Sequence, residues 1–150
     1  MSQTDTDSDV QVPFPLEFII GQTPVSGQTK NRRAREHWEE IVGQHAQDTI
    51  NRSREQFFQD DRPLMATIYY FPAAKMDGDI DNIVKPVLDG MIAVAYPDDK
   101  HIERVVVQKF EPGIAWLFPS PSAILSEAVD MEKPCLDIRL EDDLGWRQAS

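Results

Sequence analysis

The sequence predicts an α/β (α+β) fold in a single domain. Strand-like apolar runs alternate along the chain with two segments whose apolar residues recur at helical spacing. A length of 150 residues with 41% hydrophobic content is enough to enclose one core and too little for two. The expected division is a disordered acidic tail over 1–12, where there is little to bury, one domain over 13–141, and a C-terminal tail over 142–150.

Taken in order, Leu16 to Ile20 reads as a first strand, ended by Gly21 and a loop rich in turn formers. From Asn31 to Ile50, Ala34, Trp38, Ile41, Val42, His45 and Thr49 recur at three- and four-residue steps and mark the buried face of a helix that runs on toward Phe58. Leu64 to Phe71, bounded by Pro63 and Pro72, reads as a central strand. Val84, Val87, Leu88 and Met91 then share one face of a second helix. Asp81 is placed to cap that helix, Pro86 lies in or just after its first turn, and Gly90 is a tolerated weak spot. Tyr96-Pro97-Asp98-Asp99 makes a turn into a strand over His101 to Phe110. Pro119 to Val129 holds a short helix, and Pro134 to Leu140 a last strand that turns Leu136, Ile138 and Leu140 inward.

Composition narrows the function classes. No apolar run is long enough to span a bilayer, and the N-terminus lacks the basic start and apolar stretch of a signal peptide, so a cytoplasmic protein with no membrane partner is expected. Cys135, the single cysteine, can form no internal disulfide and is expected as a buried, inert thiol. The formal charge of −11 runs against the basic surface usual for proteins that grip nucleic acid. Its distribution matters more, because residues 1–17 and 119–150 each carry four of the net negative charges. Among the rest, Asp77, Asp79, Asp81, Asp98 and Asp99 would be partly neutralised by a divalent cation.

Asp77, Asp79 and Asp81 are two residues apart, so in an extended segment all three carboxylates project to one side. Oxygen donors so placed suit magnesium, which keeps several waters, and such ions activate water and orient in-line attack on a phosphodiester. A calcium loop counted from Asp77 fails, since its sixth and twelfth positions hold Asn82 and Leu88 instead of Gly and Glu. From spacing alone, a solvated acidic turn ahead of a helix is the commoner explanation of such a motif. Lys85 and Asp89 continue from Asp81 at four-residue steps, which describes either a surface ion-pair ladder or an ammonium beside a bound phosphate.

Asp79-Ile80-Asp81-Asn82, with Lys85 three further on, Asp89 four beyond that, and then Asp98-Asp99 ahead of a strand, closely resembles the signature of the RusA family of Holliday-junction resolvases. The loop from Gly21 to Gln28 is also similar, and the likeness extends from Leu16 to about Leu140. The resemblance implies a small mixed β-sheet with two main helices, acting as a homodimer that nicks branched DNA with Mg2+, for which Mn2+ is a possible substitute. Residue by residue it implies Asp79, Asp81 and Asp99 as metal-binding aspartates, Asp98 as a further ligand, Lys85 as the active-site lysine, and Asn82 and Asp89 in support. The segment from Glu111 to Lys133 looks longer than the family's minimal form.

Lys30, Arg32, Arg33 and Arg35 are the candidates for phosphate contact, although Glu36, Glu39 and Glu40 follow at once and an ordinary charged helix face fits equally well. His45 is expected as a satisfied core imidazole and Trp38 as a core anchor, and His37 and His101 show no metal-ligand spacing. The rival readings are the same metal chemistry on another nucleic acid structure, and a non-catalytic module of the same fold that binds or regulates.

Overall fold

The computed structural model describes residues 14–53, 62–143 and 145. The elements run β1 (Leu16–Ile20), α1 (Arg32–Arg52), β2 (Leu64–Phe71), α2 (Asp81–Gly90), a 3-10 turn (Asp99–His101), β3 (Ile102–Lys109), α3 (Ala123–Asp130) and β4 (Cys135–Glu141). The four strands form one mixed sheet in the order β1-β4-β2-β3. β4 lies antiparallel to both β1 and β2, whereas β2 and β3 are parallel. A parallel pair needs a crossover, and α2 supplies it. The acidic motif is therefore the turn at the C-terminal end of β2, where open sheets with parallel strands place their ligand crevices.

One face of the sheet carries Leu16, Phe18, Ile20, Ala66, Ile68, Leu136, Ile138 and Leu140, all buried in a common core with Trp38, Val42 and Val87 from the two long helices. The expected inward turn of Leu136, Ile138 and Leu140 is thus found. On the other face Phe71, Phe110, Leu125, Ala128 and Cys135 form a second cluster, against which Trp116, Phe118 and Val129 pack. Cys135 is fully buried, and that burial pushes its thiol pKa up. Two acids share this second face: Glu17 and Asp137 are 7% and 2% exposed. Burial and a hydrogen bond to Glu17 push the Asp137 carboxyl up to about 8.

Several expectations need correction. The buried residues of α1 are Trp38, Val42, Gly43, Ala46 and Ile50, a four-residue stripe rotated away from Ala34, Ile41, His45 and Thr49, which lie half-exposed at its border. Within that stripe Gly43 meets Gly90, and the two glycines let α1 and α2 touch backbone to backbone. A Cβ on Gly43 would sit 2.7 Å from the Gly90 carbonyl oxygen, and one on Gly90 would sit 2.8 Å from that of Glu39. Gly90 is therefore required by the helix crossing and is no weak spot. Helix α1 ends at Arg52, where Ser53 caps it, short of Phe58. Phe58, the tail over 1–12, Trp146 and residues 147–150 lie outside the described residues. Asp81 does not cap α2. Ile80 is already in right-handed helical conformation, so the turn enters the helix through backbone bonds from Asn82 N–H to the Asp79 oxygen and from Ile83 N–H to that of Ile80. Among the described residues, no helix is long and apolar enough to cross a membrane.

Candidate active site

Asp79 ends the loop after β2, and Asp81 opens the first turn of α2, where a carboxylate is favoured by the helix dipole. Both are exposed, and among the described residues neither carboxylate has a hydrogen-bond or ion-pair partner. Asp81 is helical, so the three aspartates do not lie on one extended segment, and Asp77 is exposed on the loop before α2. That loop is held from behind: the Met76 N–H donates to the Glu111 carboxylate at 2.9 Å, which itself pairs with Lys109 at 3.0 Å.

The chain returns to this corner through a tight turn after α2. Tyr96 is buried, and its hydroxyl donates to the Leu88 carbonyl oxygen at 2.6 Å, tying the turn to the last carbonyls of the helix. Ala93 takes a positive φ of 68° in between, a strained state for a residue with a Cβ. Asp98 then caps the 3-10 turn by accepting from the Lys100 N–H. Asp99 arrives 2.6 Å from the Lys85 ammonium.

Lys85 also contacts Asp89 at 2.9 Å, and Asp89 in turn accepts from Arg35 at 3.0 Å. Arg35 bonds Glu39 at 2.9 Å and donates to the Gly27 carbonyl at 3.2 Å. The result is one continuous chain of charge from Asp99 to Glu39. Hydrogen bonds that Lys85 donates to Asp99 first, then to Asp89, raise its pKa, and the same ammonium lowers that of Asp99. Lys85 is thus the rung of an ion-pair ladder, the first of the two alternatives left by its spacing, and its ammonium lies among the acids.

Pro86 completes the frame. As the sixth residue of α2 it has no N–H to offer the carbonyl of Asn82 four residues before. That oxygen accepts instead from the Gly27 N–H at 2.8 Å. The loop after β1 is thereby pinned against the first turn of α2.

Of the candidate phosphate-binding cations, Lys30, Arg32 and Arg33 are exposed, and Arg32 forms an exposed pair with Glu36 at 3.4 Å. Arg35 turns inward and is committed to the network. His45 sits half-buried with its Nδ1 2.9 Å from the Ile41 carbonyl oxygen, and Trp38 is 1% exposed. Sequence reasoning missed Arg35, Glu111 and Gly27 as residues that position the site. The partners of Arg35 and Glu111 are 54 and 35 residues away, beyond any local pattern. Pro86 carried a readable signal for Gly27, since a helix-interior proline frees an acceptor that must find a donor.

The donor set is all oxygen, as a hard divalent cation prefers, with Asp79 and Asp81 unpaired and Asp99 held by a lysine cation. Among the described residues, no three acidic, histidine or cysteine side chains stand close enough together to hold a metal as they are. The residues thus fit such an ion in chemistry. Closing a three-carboxylate set requires side chains to move: Asp79 and Asp81 are exposed and unpaired, whereas Asp99 has to turn from Lys85.

A family model described as Endodeoxyribonuclease RusA matches residues 21–115, which takes in the loop after β1, both long helices, and every aspartate and lysine of this corner. A comparison with curated proteins finds no significant match.

Proposed function

This chain belongs to the endodeoxyribonuclease RusA family, and from that premise we propose that it resolves branched DNA, nicking four-way junctions with magnesium at the corner formed by Asp79, Asp81, Lys85 and Asp99. The observation that carries the reading is the return of Asp99, 14 residues on, to within 2.6 Å of Lys85 on the helix that Asp81 opens. Asp79, Asp81 and Asp99 would hold the metal, with Asp98 beside them; manganese should substitute. When bound, a divalent ion supplies water activation and neutralises charge on the phosphate.

The chain's own residues do the rest. Lys85, 60% exposed at its side chain, has an ammonium within reach of a phosphate set against the acids and can stabilise the negative charge that develops there. Asp89 and Arg35 position Lys85 from behind. Asn82 and Pro86 position the loop that borders the site. A groove of about 670 Å³ between α1 and α2 is lined by Glu36, Glu39, Glu40 and Asp89 and repels a phosphate backbone. DNA is therefore expected to approach from the side of Lys30, Arg32 and Arg33. Recombination or repair is the setting such chemistry serves, and a homodimer would place two such corners on the two strands of one junction.

The test is cleavage of a synthetic mobile four-way junction beside matched linear duplex, flap and single-stranded substrates, with magnesium. Paired, symmetrically placed nicks in the junction alone are the expected result. Equal cutting of all substrates would keep the nuclease and remove junction specificity. Binding without cleavage of any of them would favour the non-catalytic module.

A further inference from the structure

We infer that the small pocket beside Asp79 is a subsite for one nucleobase, extruded from the strand whose phosphate meets the acidic corner. This rests on the endonuclease reading above. The pocket, of about 110 Å³, is bordered by Asp79 and Asn82 themselves, so whatever fills it is joined to the reacting phosphate by at most a short stretch of backbone. At roughly 10–15 Å³ for each water-sized group, that space accepts on the order of eight to ten non-hydrogen atoms, the size of a single base and far less than a whole nucleotide.

Its chemistry selects the same ligand. Pro24, Tyr70, Met76 and Ile83 give it apolar walls, suited to the flat faces of an unstacked ring. No lysine or arginine lines it, and Asp79 does, so a free phosphate or a carboxylate is excluded on charge. Thr23, Ser26 and Tyr70 bring hydroxyls to its border, and the Ser26 Oγ already accepts from the Gln28 N–H. The carboxamide of Asn82 has no hydrogen-bond partner among the described residues, and a carboxamide offers the paired donor and acceptor that match a base edge. Both sides of the pocket are held in place before any ligand arrives: Gly27 is bonded to the Asn82 carbonyl, and the Met76 N–H to Glu111. A preformed, mostly apolar hollow with polar groups at its border is how proteins fix the orientation of a small ring.

The experiment uses the full chain and a set of four-way junctions carrying an abasic site at each nucleotide flanking the nick in turn. One position is expected to lower kcat/KM about tenfold when its base is removed, in keeping with the loss of one paired base contact. A 2-aminopurine at that position is expected to brighten when the protein binds in chelator, reporting extrusion without cleavage. Gly78 lines the pocket, and a Cβ added there meets nothing closer than Met76 Cε at 3.9 Å, so Gly78→Trp has room to add bulk at the site. Ser26→Trp adds bulk at another lining residue. Both variants are expected to abolish the brightening and to level cleavage rates between sequences. If every abasic junction is nicked within about twofold of the intact one and no position brightens, in protein that still nicks with magnesium, the subsite is overturned while the endonuclease stands. Protein that neither binds nor nicks any junction overturns both.

Discussion

Two of the site's carboxylates, Asp79 and Asp81, carry no partner among the described residues, while Asp99 is already paired with Lys85. On the proposed reading, Lys85 matters more to chemistry than to stability. Its side chain is 60% exposed, and exposed ion pairs contribute little once solvent screening is counted. Lys85→Met is expected to lower cleavage by about a hundredfold with little change in Tm; the two are read from junction nicking and thermal denaturation of the same preparation. Asp137 is the opposite kind of acid, buried on the far face of the sheet with Oδ1 lacking a partner. Its pKa rises from an ordinary 3.8 to about 8 on folding, so between those values the folded state holds a proton that the unfolded chain has released. Stability contributed by that proton is full below about 4 and falls as pH rises toward 8. Asp137→Asn, which cannot ionise, is expected to flatten this decline in a series of melts from pH 5 to pH 8. A decline of unchanged slope would show that Asp137 does not carry it. Neither Asp137 nor its neighbour Glu17 was legible as a pair in the sequence, because they meet only through the β1–β4 register, in which Glu17 faces Arg139 and Ile19 faces Asp137.

At the scale of elements, apolar patterning located β1, β2, β4, α1 and α2, since each buries a face whose repeat is written in consecutive residues; β3 and α3 were placed with less help from it, β3 because it buries none of its residues. Patterning failed where contact between elements decides. The α1–α2 crossing depends on Gly43 and Gly90, 47 residues apart along the chain, and no local pattern distinguishes a glycine that admits a helix from one that weakens its own. Gly43→Ala is expected to destabilise the fold by about 2–3 kcal/mol, the cost of forcing apart an overpacked contact, measured by urea denaturation. A variant as stable as the parent would mean the helices separate freely. Pro86 acts through the loop it pins. Pro86→Ala restores an N–H that competes with Gly27 for the Asn82 oxygen, so faster proteolysis of the loop over 21–30 is expected with little loss of helix.

For the whole molecule, the acidic balance of −11 stands beside membership of a DNA-cleaving family. Much of that balance belongs to the two ends of the sequence, since residues 1–17 and 119–150 carry eight of the net negative charges. Of the remaining acid, Glu36, Glu39, Glu40 and Asp89 line the groove between α1 and α2, and the aspartates of the corner are those a cation would neutralise. Binding is then carried by few cations, so the dependence of affinity on salt should be shallow, with Lys30→Ala and Arg33→Ala each lowering its slope by roughly one. Variants that leave the slope unchanged would remove those two residues from the interface. The site itself was legible in the sequence as a motif, but its assembly was not. Asp99 reaches Lys85 only because a parallel β2–β3 pair forces the chain back across the sheet, and Tyr96 fixes where it lands. The most direct measurement is the rate of magnesium-dependent nicking of a four-way junction by Asp81→Asn beside the unaltered protein, with folding and junction binding followed in the same samples. A fall on the order of 10³-fold with both retained is the expected result, and undiminished nicking by Asp81→Asn would contradict the assignment of this corner as the active site.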